Sequence, residues 1–115
     1  MTIERLQTNQ RMSQVVKHNG VAYLAGQVPD DGKSDIAAQT QQVLDKLDAL
    51  LKAAGSDRGR LLSATILLSD MRYFQEVNAV YDPWLDQANL PVRCCAAVEL
   101  AHPDLKVEII MTAAV

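Results

Sequence analysis

The feature that most constrains this chain is an alternation of period two in its last quarter. In Pro91-Val-Arg-Cys-Cys-Ala-Ala-Val-Glu-Leu the even positions Val92, Cys94, Ala96, Val98 and Leu100 are apolar. The odd positions carry Arg93, Cys95, Ala97 and Glu99. Such spacing sends the two sets to opposite faces of a strand. Lys106-Val-Glu-Ile-Ile-Met reads as a second strand, on which Glu108 points away from the face of Val107 and Ile109. An Arg fork, a thiol and a carboxylate with little bulk between them predict a pocket for a small anion.

The remaining periodicities supply the other elements. Ile3 to Leu6, Gln14 to His18 and Val21 to Leu24 read as strands, with His18-Asn19-Gly20 as a hairpin turn. Gly26-Gln-Val-Pro29 ends the third strand, because proline cannot donate to a ladder. Ser34 or Asp35 caps a helix whose residues Ile36, Val43, Leu44, Leu47, Leu50, Leu51 and Ala54 follow the 3.6 period up to Gly55. Leu61 to Leu68 is apolar on both faces and so reads as an inner strand. Ser69 or Asp70 caps a second helix with the stripe Phe74, Val77, Tyr81, Trp84 and Ala88, which Pro83 is expected to kink or restart.

The order β-β-β-α-β-α-β-β, with two amphipathic helices, predicts a two-layer α+β sandwich: a mixed sheet with both helices on one face. At 115 residues the chain fits a single domain, 1–115. The other sheet face, expected to carry both Arg93 and Glu108 beside leucines, would then be buried against further copies of the chain. A net charge of -3 without a Lys/Arg run argues against nucleic acid as a partner. No stretch approaches the roughly 20 apolar residues of a membrane span. The N-terminus MTIERLQTNQ lacks the apolar core of a signal peptide. Adjacent Cys94 and Cys95 point opposite ways, which predicts free thiols and a cytoplasmic location. Two His and two adjacent Cys offer no zinc spacing, so no metal is expected.

Several segments together carry a family resemblance. They are Ser13-Gln-Val-Val16, Ala25-Gly-Gln-Val-Pro29, Val77-Asn-Ala-Val-Tyr81, Pro91-Val-Arg-Cys-Cys95 and Lys106-Val-Glu-Ile109. In their order and spacing the chain resembles the RidA/YjgF family, and within it the shorter YoaB-like branch. The resemblance implies a chorismate-mutase-like fold and a homotrimer whose sheets form a central barrel, with clefts between subunits. It implies hydrolysis of reactive 2-imino acids to 2-keto acids and ammonia, with no cofactor. It maps a carboxylate-binding arginine onto Arg93, a cysteine onto Cys95, a water-handling glutamate onto Glu108 and the glycine of a Gly-Gln turn onto Gly26. Met12 and Ala25 stand where the family often has tyrosine and serine, and count as candidate substrate contacts.

Each candidate also has a plainer reading. Arg93 can be an ion-pair partner, Glu108 can balance an arginine across a subunit seam, and Gly26 can simply end a strand. Cys95 has no His in a recognisable Cys-His arrangement, so a soft wall residue fits it better than a nucleophile. Asn78 reads as a helix anchor, and Phe74, Tyr81 and Trp84 read as core. Three further functions stay open. One is a non-catalytic module that binds or senses 2-keto acids. Another is an endoribonuclease or translation inhibitor, for which the chain lacks a His pair and basic surface. The last is a chaperone-like role.

Overall fold

The computed structural model describes residues 2–115. In chain order the elements are β1 (Glu4–Thr8), β2 (Ser13–His18), β3 (Val21–Leu24), α1 (Ile36–Ala54), β4 (Leu61–Leu68), α2 (Phe74–Trp84), β5 (Val92–Ala97) and β6 (Val107–Ala114). The expected order and layers hold, while strand ends differ. β1 runs on to Thr8 and β6 to Ala114, whereas β5 stops at Ala97 instead of Leu100.

Local chemistry accounts for the boundaries. Asn19 and Gly20 take φ of 53° and 79° in the β2–β3 turn, the left-handed region that Asn and Gly tolerate. Asp35 is the cap of α1, its side chain accepting from the Ala38 amide at 2.8 Å. Gly55 closes the same helix at φ 82°, its amide reaching back to the Leu51 and Lys52 carbonyls. Asp70 caps a single 3-10 turn, Met71–Tyr73, which leads into α2. Pro83 neither kinks nor restarts α2: it lies in the last turn, and the helix ends at Trp84. Ala88 therefore lies beyond the helix and is exposed, so the buried stripe ends at Trp84.

The sheet has six strands in the order β1-β2-β3-β6-β4-β5. All neighbours are antiparallel except β4 and β5, where α2 carries the chain back to start a parallel partner. Both helices cover one face. Their buried residues Val43, Leu44, Leu47, Leu51, Val77 and Tyr81 meet Val15, Ala22, Ala64, Ile66, Leu68, Ile109 and Met111 from the strands. Truncating one of the buried leucines of α1 to alanine costs about 2–5 kcal/mol by the usual cavity penalty. Gln39 is fully buried as well. Its amide nitrogen donates to the Gly32, Ser34 and Asp104 carbonyls, and its oxygen accepts from the Lys106 amide. This one side chain ties the loop before α1 to the loop before β6.

The opposite sheet face has no helix over it. Tyr23 and Val92 remain 49 % and 72 % exposed there.

Candidate functional site

Arg93 and Glu108 do not share a face of the sheet. Arg93 pairs with Ala64 and Cys95 with Ile66, and both partners belong to the helix-covered core. The odd positions of β5 thus face the helices. Glu108 pairs with Leu67, while its neighbours Val107 and Ile109 are fully buried on the helix side. Its carboxylate therefore faces the uncovered side. The expectation that one open face carries both groups is overturned. The reason is position: β5 is an edge strand, so a long side chain on its helix side still reaches solvent while its stem packs.

Arg93 is held by α2. Its Nη2 donates to the Asn78 side-chain oxygen at 2.7 Å. Its guanidinium carbon stands 5.5 Å from the Phe74 ring centre and 5.1 Å from that of Tyr81. Residues 74, 78 and 81 follow one stripe of the helix, which is why three side chains converge on one cation. Among the described residues no carboxylate lies within ion-pair distance of Arg93. Burial pushes the Tyr81 hydroxyl above its usual range, partly offset by the Arg93 charge. That hydroxyl is buried without a hydrogen-bond partner. Beside Arg93 opens a cavity of about 340 Å³ lined by Tyr81, Asp82, Leu85, Gln87, Leu90 and Pro91; the Asp82 carboxylate makes no ion pair with Arg93. A larger one of about 840 Å³ follows β5, between Ser69 and His102, and contains none of the predicted site residues. Cys95 packs partly against the core behind Arg93, and Cys94 is exposed on the other face.

Gly26 and Glu108 form the second cluster. The Ala25 amide donates to the Gln14 carbonyl at 2.9 Å, which extends the β2–β3 ladder by a step. Gln27 and Ile109 exchange both backbone hydrogen bonds, at 2.9 and 3.1 Å. The Gln27 side chain donates to the Gln14 side chain and to the Ala25 carbonyl. Gly26, fixed between these anchors, lies against the Glu108 carboxylate, and a Cβ here would collide with Oε2. The glycine is needed for close approach, since its φ is not in the left-handed region. Glu108 is half-buried and has no polar side-chain partner among the described residues. Met12, just before β2, is 39 % exposed at the same end of the ladder as Ala25.

The predicted residues thus fall into two clusters. One holds Arg93 and Cys95; the other holds Gly26, Glu108, Ala25 and Met12. Sequence reasoning missed the α2 residues Phe74, Asn78 and Tyr81, and also the Gln14–Gln27 pair. The signal for the first set was present, as one helical stripe on which Asn78 breaks an apolar run. Among the described residues no three His, Cys, Asp or Glu side chains cluster as metal ligands do, and no helix is long and apolar enough to cross a membrane.

Comparison with known proteins finds relatives along the whole chain. A family model described as Endoribonuclease L-PSP matches residues 2–115. The RutC family protein YoaB of Escherichia coli K12 is 40 % identical over 115 residues, covering all of both chains. A member of the YjgF protein family from Neisseria meningitidis superposes with a TM-score of 0.94 at 40 % identity, over 99 % of this chain and 95 % of that one. More distant is the 2-iminobutanoate/2-iminopropanoate deaminase of Escherichia coli K12, 35 % identical over 92 residues, 74 % of this chain and 72 % of its own.

Proposed function

This chain belongs to the RidA/YjgF family, whose model carries the description Endoribonuclease L-PSP, and on that premise we propose that it hydrolyses small 2-imino acids to 2-keto acids and ammonia. The observation that carries the reading is the pair of half-sites. Among the described residues, a cation without an ion-pair partner lies on one side of the sheet, and a carboxylate without one lies on the other. A 2-imino acid needs both: a planar fork for its carboxylate and a base beside its imine carbon.

One chain cannot aim both groups at one small molecule, so the site forms where the open face of one copy meets the β5 edge of another. A homotrimer closes three such seams, with the exposed Tyr23 and Val92 buried between subunits. Arg93 of one copy binds the substrate carboxylate. Glu108 of its neighbour takes a proton from water as the water oxygen bonds to the imine carbon. The C=N π pair moves to nitrogen, which takes that proton from Glu108; Glu108 then relays the hydroxyl proton to nitrogen as the C–N bond breaks, and ammonia and the 2-keto acid leave. Backbone groups around Gly26 and Cys95 hold the imine nitrogen, and Met12 and Ala25 line the wall by the substrate side chain. Free imines already hydrolyse in water, so positioning and charge stabilisation suffice. The single domain 1–115 supplies every group in this scheme, which uses no cofactor, and the free thiols suit the cytoplasm.

The acidic balance argues against RNA, as does the separation of the two histidines. His18 ends β2 and His102 lies in the β5–β6 loop. The test couples imine production by a pyridoxal-phosphate dehydratase to loss of the imine absorbance, with 2-oxobutanoate titrated by calorimetry alongside. Faster loss of imine supports the reading. Tight binding of the keto acid without turnover replaces it with a binding or sensing module.

A further inference from the structure

We infer that Asn78 is a positioning residue, holding the Arg93 fork so that one edge alone meets the ligand carboxylate; this rests on the proposed role of Arg93. Three observations support it. Asn78 takes up Nη2 at 2.7 Å with a neutral oxygen, so the hydrogen bond fixes the guanidinium without cancelling its charge. Phe74 and Tyr81, on the same helical stripe, stand against the guanidinium at 5.5 and 5.1 Å and restrict its swing. Arg93 is nevertheless exposed and opens on the 340 Å³ cavity, so solvent or a ligand still reaches it.

Each side chain of the bracket supplies something different. An unrestrained arginine on an edge strand loses its rotamer entropy on binding a ligand, which weakens that binding. The helix meets that cost during folding, through Asn78 for direction and the two rings for the plane. What remains for a ligand is the N–H edge that Asn78 does not occupy, which presents two parallel donors to a carboxylate. An aspartate at position 78 would have nearly the same shape as the native residue. It would also carry the charge that the fork exists to recognise, and would compete for it.

Two variants separate positioning from mere packing. In Asn78→Leu the acceptor is lost and the shape kept. The Kd for 2-oxobutanoate and the KM for imine should rise about tenfold, with kcat within about threefold, because Asn78 touches no reacting atom. In Asn78→Asp the acceptor is kept and a charge added, and affinity should fall further, by roughly 100-fold. A residue that only stabilised α2 would show the reverse order, with the near-isosteric Asp closer to wild type. Thermal melts establish that both variants fold; if Asn78→Leu does not, Asn78→Asp alone decides. Unchanged affinity in Asn78→Asp, with binding lost in Arg93→Ala, would overturn this inference and leave the role of Arg93 intact. Unchanged affinity in Arg93→Ala would overturn both.

Discussion

Two arginines dock on α2, and they do so differently. Arg58, just after α1, bonds Asp48 through Nε at 3.1 Å and the Trp84 carbonyl through Nη1 at 3.1 Å, and lies over the Trp84 ring at 4.7 Å. Arg93, two turns back along α2, also lies near aromatic rings but meets only the neutral Asn78. The first corner is electrically closed, and it staples α1 to the C-terminal end of α2. The second keeps its full charge. A chain gains stability by closing such a charge with a carboxylate. One left open, yet held in a fixed geometry, is what the proposed anion site requires.

Predictions follow from treating the closed corner as structure and the open one as chemistry. The largest effect falls on the lone carboxylate of the second half-site. Glu108→Gln should lower kcat for imine hydrolysis by about 10²–10⁴, the range of a lost general base, with an unchanged melt. Arg93→Ala should lower kcat/KM by roughly 100-fold and leave Tm almost where it was, since no ion pair is broken. A marked fall in Tm with normal kinetics would place Arg93 with Arg58 and erase the distinction. Gly26→Ala should cost about tenfold in kcat. The new methyl group meets the movable end of Glu108, so the carboxylate shifts while the fold stays intact, as a melt and a crystal structure would show.

The smallest effect belongs to the closed corner. Arg58→Ala should leave kinetics within about twofold and destabilise by about 1 kcal/mol, solvent screening having reduced the ion-pair share. Its pH dependence has a definite sign. The Arg58 hydrogen bond holds the Asp48 carboxyl below its ordinary 3.8, with burial opposing and Lys52 adding to it. A depressed folded value stabilises above the unfolded one and ceases to do so as pH falls through the folded one. The gap between wild type and Arg58→Ala should therefore be full at pH 7 and shrink below about pH 4, as urea melts at both values would measure.

Much of this molecule is legible in its sequence. The 3.6 period located α1, and Asp35 and Gly55 marked its ends. Asn19-Gly20 located the hairpin, and period two separated Arg93 from Cys94. What the pattern left undetermined is which face of β5 the helices cover. With Val92, Cys94 and Ala96 on one side and Arg93 on the other, burial alone assigns the apolar side to the core. The fold does the opposite, because an edge strand lets Arg93 lie along α2 and leaves Val92 for the uncovered face. Asn78 was opaque for a related reason. Its partner lies 15 residues away across the two layers, a distance over which helical periodicity carries no information.

The central claim is that the two half-sites meet only between copies. Arg93→Ala and Glu108→Gln subunits, each strongly impaired alone, are to be unfolded together in equal amounts, refolded and assayed for imine hydrolysis. With the site split between neighbouring chains, roughly a quarter of the seams pair an intact Arg93 with an intact Glu108, and activity should return to about that fraction of wild type. If refolding yields mixed oligomers with no activity above the parent variants, both groups act from the same chain and the account is wrong.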